Sequence, residues 1–454
     1  MDVTNLKQIA DWTGGSLIGV ARGPVLRVVT DSRAVRDGDL FVALVGERFD
    51  AHDFLSEVAA QGAVAAVVKK GQGPRPDGMA MIEVDDTLLG LQRLAGSYRK
   101  TLPVRTVGVT GSNGKTSTKD FTFAVLRQKY SGWCTQGNLN NHIGVPLTLL
   151  SGGGSDEVAV VEMGMNHAGE IAPLAEMAAP EVGIITNIGV AHIEYLGSKE
   201  AIAVEKGALA RQVSSVGTVV LNAEDEFTAM ISEMTRANVL TAGIQTGDVQ
   251  AVDLFIRDGG TRFALVYEGE RAEVELSVPG KHMVRNAALA AAAGIAMGVS
   301  LAEAASGLSA MNQMRGRLES KVVGGIRFVD DSYNANPDSM EAALTTLAQW
   351  PVSGRRIAIL GRMGELGAFA ESGHRKVGAA AAFHCVDRVF TVGQEAHWIS
   401  DEAKKCGLQD VEHFHDIASA AAALRKDVNG DDLVLVKGSR SAGMERLIAE
   451  VERL

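Results

Sequence analysis

The sequence predicts an α/β protein built from more than one unit, with a doubly wound, mostly parallel sheet at its centre. Three observations predict it. Short β-branched runs alternate with helix-length segments between residues 103 and 316. One such run, residues 104–109, leads through Thr110-Gly-Ser-Asn-Gly-Lys-Thr116 into a helix pattern over 117–130. The chain's 454 residues also exceed what a single hydrophobic core holds, so two or three units are expected.

Residues 1–102 read as a small α/β unit. A helix over 5–13 ends at Gly14-Gly15, strands lie near 25–29, 40–44 and 64–68, and helices cover 52–61 and 88–100. Two loops stand out. Asp31-Ser32-Arg33 and the segment carrying Phe49, Asp50 and His52 set polar groups beside strand ends, where ligands are often held. Turn capping by Asp and Ser explains them equally well.

The segment 103–316 supplies strands at 158–161, 182–186 and 218–221, with a helix over 201–212. An antiparallel patch follows at 252–256, 262–267 and 271–276, its turns marked by Asp258-Gly-Gly260 and Glu268-Gly269. An Ala-rich helix covers 286–297. From 317 to 454 a second open α/β sheet is expected. Its strands fall at 326–329, 356–360, 388–392 and 433–436, and a helix starts at 339.

Composition narrows the function. There are 44 basic and 55 acidic residues, a net charge of -11, which argues against broad nucleic-acid or anionic-membrane binding. The three cysteines have no Cys-x-x-Cys spacing, so neither a disulfide framework nor a cysteine zinc site is indicated. No apolar run approaches the ~20 residues of a membrane span. The N-terminal residues lack a signal pattern, so a cytoplasmic protein is expected.

The strand–glycine–helix stretch carries the sharpest chemical signal. Backbone N–H groups from Thr110, Gly111, Ser112, Asn113 and Gly114 onward, with the helix N-terminus at Ser117, suit an anion. Lys115 reaches outer phosphates, and the Thr116 hydroxyl can ligate Mg²⁺. The commonest form of the motif has glycine five residues before Gly114, where this chain has Val109. Gly111 supplies the early flexibility instead.

Other candidates sit at strand ends. Glu162 follows the strand at 158–161 and is placed to complete Mg²⁺ coordination with Thr116. His192 ends a glycine-containing turn, but a lone histidine is more often structural, and the pattern alone does not select it. Lys206, in a helix, reads as a solvated charge. Arg317 lies where an arginine can reach a phosphate across a cleft. Asp331, Asn334 and Asn336 crowd one loop, where Asp can accept from a ribose hydroxyl or the whole loop can simply cap a helix. Lys437-Gly-Ser439-Arg440 forms a cationic cluster suited to a carboxylate or phosphate.

With these residues together, the whole chain resembles the Mur ligases, the ATP-dependent amide-forming enzymes of peptidoglycan precursor synthesis. The loop 110–116, Glu162, His192, Arg317 and Asp331 carry the general resemblance. Gly137-Asn-Leu-Asn-Asn-His-Ile-Gly-Val-Pro146, Glu162-Met-Gly-Met-Asn-His-Ala-Gly-Glu170, Asp331-Ser-Tyr-Asn-Ala-Asn-Pro337, Leu360-Gly-Arg-Met-Gly-Glu-Leu-Gly367 and Val436-Lys-Gly-Ser-Arg440 point to the member that adds D-alanyl-D-alanine.

The resemblance implies three domains. Residues 1–102 would bind the UDP-sugar precursor and 103–316 would bind ATP. A Rossmann-like 317–454 would close the site and bind the dipeptide. It implies two Mg²⁺ ions, one on Thr116 and Glu162, the second served by His192 and Lys206, with Lys206 carbamylated. Lys115, His192 and Lys206 would be catalytic. Asn286, Arg317, Asp331, Asn334 and Asn336 would frame adenosine and phosphates. Asp31, Ser32, Arg33, Phe49, Asp50 and His52 would face the UDP-sugar. Asn138, Asn140 and Asn141 would lie near the sugar–peptide, and Lys437, Ser439 and Arg440 would serve substrate. A monomer is implied.

Two positions depart from the family pattern: His282-Met283 replaces His-Asn, and Arg362 replaces an aspartate. Competing readings are a sister ligase adding the third amino acid, a folylpolyglutamate synthase, or a nucleotide switch. The first typically carries Asp-Asn-Pro-Arg, absent here.

Overall fold

A computed structural model of the chain describes residues 1–453. Three sheets run along the sequence in order. The first has five strands in the spatial order Ser16–Ile18, Ala80–Val84, Ala65–Lys69, Asp39–Val42, Arg27–Val29, parallel except for the Ser16–Ile18 edge.

The second sheet has nine strands. Its antiparallel end is Glu270–Leu276, Gly260–Tyr267 and Val249–Arg257. Asn238–Ile244, Thr218–Asn222, Val182–Ile185, Arg105–Thr110, Val158–Glu162 and Gly132–Cys134 then continue in parallel. The third has six: Glu319–Val323 antiparallel to Ile326–Asp331, then Leu433–Lys437, Arg356–Gly361, Arg388–Val392 and Val411–Phe414 in parallel.

Parallel strands covered on both faces need apolar residues throughout rather than alternating ones. Arg105–Thr110 meets that demand: five of its six residues are buried. Helix Lys281–Ala296 covers one face with Ala287, Ala288 and Ala290 to Ala293 fully buried. Alanine keeps helix and sheet close without the rotamer entropy cost of longer side chains.

The sequence reading misplaced some boundaries and missed six strands. Ser16–Ile18, Gly132–Cys134, Glu319–Val323 and Val411–Phe414 are short edge or near-edge strands with polar or exposed positions, which blur an apolar signal. Ala80–Val84 and Asn238–Ile244 were also passed over. The helix expected from 339 starts two residues earlier. Asn336 caps it, its side chain accepting from the Ser339 N–H, and Pro337 takes the first turn where its missing donor costs nothing. The helix expected over 117–130 is Lys115–Leu126, so Lys115 itself opens it. Met283, at one departure from the family pattern, is buried in the hydrophobic core of the Ala-rich helix.

No helix among the described residues is long and apolar enough to cross a membrane. Helix Leu6–Thr13 begins at Asn5 and stops at a left-handed Gly14, as read from sequence.

Candidate active site

The carboxyl ends of three adjacent central strands, Val158–Glu162, Arg105–Thr110 and Val182–Ile185, bring the expected residues together. After Arg105–Thr110 the chain turns through Gly111 at φ 147° and Gly114 at φ 78°. Both positions also lack room: a Cβ on Gly111 would lie 1.8 Å from Thr186 Oγ1, and one on Gly114 would lie 2.6 Å from Asn286 Oδ1. The turn therefore requires glycine twice. Gly111→Ala is expected to cost about 2–5 kcal/mol from combined overpacking and backbone strain, read as a lower denaturation midpoint with loss of ADP binding by calorimetry.

The loop is held from below by the segment after Val182–Ile185. Ser112 N–H donates to Asn187 O at 2.9 Å, and Asn113 N–H to Asn187 Oδ1 at 3.0 Å. Thr186 Oγ1 and Asn187 Nδ2 both donate to Asn113 O, at 2.6 and 2.9 Å. Asp225 accepts from Ile188 N–H at 2.7 Å and fixes the next residue. Lys115 Nζ folds back onto its own loop, donating to Gly111 O at 2.8 Å and Ser112 O at 3.3 Å. Burial lowers its pKa and the Arg317 charge adds to this, while Glu162 and Glu365 oppose it.

Glu162 is buried, and the Asn140 amide donates to its Oε1 at 2.7 Å. Its Oε2 is buried with no partner. Lys206 is fully buried in helix Lys199–Gln212, and its Nζ likewise has no partner. Its pKa lies well below the ordinary lysine value, first because of burial and second because of the Lys115 charge. The solvated-charge reading of Lys206 is therefore corrected: the side chain is sealed from water, and burial without a partner disfavours its charged form.

The buried Glu162 Oε2, a carboxylate oxygen without a donor, is the kind of ligand a hard cation takes. Among the described residues no three His, Cys, Asp or Glu side chains form a metal cage. The fit is to an ion completed by phosphate and water.

His192 sits in left-handed backbone, φ 63°, at the start of the short helix Ile193–Leu196. Its Nδ1 lies 2.8 Å from Glu365 Oε2 of the third unit, off the direction of a well-aligned hydrogen bond. The imidazole holds the Glu365 carboxyl below its ordinary pKa, with burial opposing and Lys115 assisting.

The third unit contributes more. Asn336 Nδ2 donates to Asn113 Oδ1 at 2.7 Å, and Val190 N–H donates to Asp338 Oδ2 at 3.0 Å. Arg317 stacks 4.3 Å over the Tyr333 ring. Lys437, buried, donates to Asp331 Oδ2 at 2.6 Å and Asn334 O at 3.0 Å. Asn334 Oδ1 accepts from Arg440 N–H at 3.3 Å. Ser439 is buried beside Ser441, and Arg362, the second departure, donates to Ser441 Oγ at 2.9 Å.

Other expected residues turn out to be occupied with structure. His52 is buried, its Nδ1 against Asp50 Oδ1 at 2.5 Å and its Nε2 accepting from Lys69 N–H at 2.9 Å. With both ring nitrogens used, the expectation that His52 meets a ligand is corrected to a structural role. Asp50 caps the turn Ala51–Phe54, and Asp31 caps Ser32–Ala34 while pairing with Arg33 at 2.8 Å. Phe49 is exposed and Ser32 half-buried. Asn141 Oδ1 accepts from the Ile143 and Gly144 N–H groups, whereas Asn138 is exposed. Residues that the sequence reading missed are Asn187, Asp225, Asp338 and Glu365. Only their position after apolar strands or within the quoted segments could have flagged them.

Comparison with known proteins gives this arrangement a lineage. Residues 109–294 match the Mur ligase middle domain, and 316–440 match the Mur ligase, glutamate ligase domain. The UDP-N-acetylmuramoyl-tripeptide–D-alanyl-D-alanine ligase of Bacillus subtilis is 36% identical, with 98% of each chain covered. The crystal structure of MurF from Acinetobacter baumannii superposes with a TM-score of 0.92 at 33% identity, covering 100% of both chains. The MurF ligase from Thermotoga maritima in complex with ADP gives 0.84 at 29% identity, covering 94% of this chain and 97% of that one. The likeness runs along the full length in both sequence and fold, and the chain belongs to the Mur ligase family.

Proposed function

We propose that the chain joins D-alanyl-D-alanine to UDP-N-acetylmuramoyl-tripeptide while ATP is converted to ADP and phosphate, a step of peptidoglycan precursor synthesis. One observation carries the reading. The loop 110–116, Glu162 and His192 follow neighbouring strands, with Lys206 on a helix within reach of the Lys115 charge, in a chain that spans 98% of a relative named for that reaction.

The reaction brings two anions together. The tripeptide's terminal carboxylate attacks the γ-phosphate, the bond to ADP breaks, and an acyl phosphate forms. The dipeptide amine then attacks the acyl carbon and phosphate leaves. The chain's own task is to neutralise charge at the transferring phosphoryl group, which the N–H groups of the loop and Lys115 do. Lys115 must swing from Gly111 O and Ser112 O to the phosphates. Mg²⁺ on Thr116 and Glu162, and a second ion near His192 and a carbamylated Lys206, would add positive charge there when bound. Asn286, Arg317 with Tyr333, Asp331, Asn334 and Asn336 frame the nucleotide. The third unit, held by Lys437 and flanked by Ser439 and Arg440, keeps water from the acyl phosphate.

In this reading residues 1–102 hold the UDP-linked substrate, 103–316 hold ATP, and 317–454 receive the dipeptide. The chain acts as a cytoplasmic monomer. Phosphate release measured with each substrate omitted in turn tests it. Release requiring both UDP-tripeptide and D-alanyl-D-alanine is expected, at least about 10²-fold above the rate with either missing. Release independent of the dipeptide would instead fit a nucleotide switch, and preference for a free amino acid a sister ligase.

A further inference from the structure

The His192 side of the site lies in the central unit, yet it is met by a residue of the third. Glu365 lies between Met363 and Leu366, both buried. Its loop is pinned from within. His374, fully buried, accepts the Met363 N–H on Nε2 at 2.9 Å, and its Nδ1 meets Ala370 O at 2.7 Å. Ser439 N–H holds Arg362 O at 2.9 Å. Between those anchors Glu365 adopts left-handed backbone, φ 61°, which L side chains rarely take. The residue it meets, His192, is left-handed as well. Close by, a Cβ on Gly367 would lie 2.7 Å from Glu194 Cγ, so the two loops already touch.

We propose that Glu365 is a positioning residue that couples closure of the third unit to completion of the His192 cation site. A carboxylate on Nδ1 fixes the imidazole tautomer and leaves Nε2 as the nitrogen free to bind a cation, the arrangement that carboxylates commonly impose on metal-bound histidines. The two groups already lie within hydrogen-bond distance, at 2.8 Å. When the third unit opens, His192 loses this partner, so the second cation is held well only in the closed state. The inference deepens the ligase reading and rests on it for the presence of a second cation. Glu365 is half exposed, and ion pairs of that kind contribute little to stability, so replacing it leaves the fold intact.

The test uses the full chain with ADP and Mn²⁺ as the probe ion, bound Mn²⁺ being followed by electron paramagnetic resonance. Wild type is expected to bind two ions. Glu365→Gln is expected to keep the tighter one and to weaken the second by about 10–100-fold. Its kcat should fall by a similar factor while KM for ATP stays within about twofold. Glu365→Asp, which keeps the charge, should recover part of the loss. A single Mn²⁺ in wild type overturns the proposal, and so does an unchanged second affinity in Glu365→Gln. A wild-type chain that binds both ions yet makes no ligated product overturns the ligase reading instead.

Discussion

Lys115→Ala is expected to lower kcat/KM for ligation by about 10³-fold or more, the scale seen when a preorganised charge stabiliser is removed. The loss should fall mainly on kcat. ADP binding depends largely on main-chain N–H groups that the substitution leaves in place, so its affinity should change far less. The physical reason lies in where the ammonium sits. Lys115 is held against Gly111 O and Ser112 O, in a pocket that lowers its pKa by burial. In a site of low effective dielectric, its charge acts more strongly on developing negative charge than it would in water. Lys115→Arg should not rescue, because a planar fork cannot take the place of a compact ammonium in that turn. The measurements are single-turnover phosphate release beside isothermal titration with ADP. Parent-rate ligation by Lys115→Ala would sink the assignment.

Much of the central sheet could be read from the chain because its strands are buried on both faces. Val158–Glu162 and Val182–Ile185 are buried at every position, so they appear as unbroken apolar runs bounded by polar turns. Edge strands carry no such mark. Val411–Phe414 has one buried residue in four, so no apolar run marks it.

The site divides along similar lines. The loop 110–116 announces itself because its chemistry is local: glycines, lysine and threonine lie adjacent in sequence. Lys206 was opaque for the opposite reason. Whether a helical lysine is solvated or sealed depends on which strand ends surround it, and nothing within a turn of the helix records that. Asp338 and Glu365 were missed because each acts on a partner over 140 residues away, on Val190 and His192. His52 erred the other way. Its neighbours in sequence suggested a ligand loop, but the Lys69 N–H, brought in by a parallel strand, uses its second nitrogen.

Lys206→Met should separate activity from stability and move them in opposite directions. The native amine is buried and without a partner, and its pKa lies well below the ordinary lysine value. In the unfolded chain it is protonated up to a pH of about 10. Between its depressed folded pKa and that value the unfolded state binds the extra proton, so the wild-type chain gains stability as pH rises through the window. At neutral pH the residue is therefore a net liability, and an unpartnered buried polar group adds about 1–3 kcal/mol to it. Methionine fills a similar volume without either cost. The variant should melt a few degrees higher at pH 7, with a smaller rise in stability toward pH 10. Ligation should nevertheless fall by about 10²-fold or more, because in the proposed mechanism a carbamate on this amine would supply an oxygen to the cation beside His192, and methionine cannot form one. Wild-type activity should drop in CO₂-depleted buffer and return with bicarbonate, whereas Lys206→Met should respond to neither. Calorimetric melting at pH 7 and pH 10, beside assays with and without bicarbonate, checks both halves. A variant that is less stable and equally active would mean that Lys206 serves packing alone.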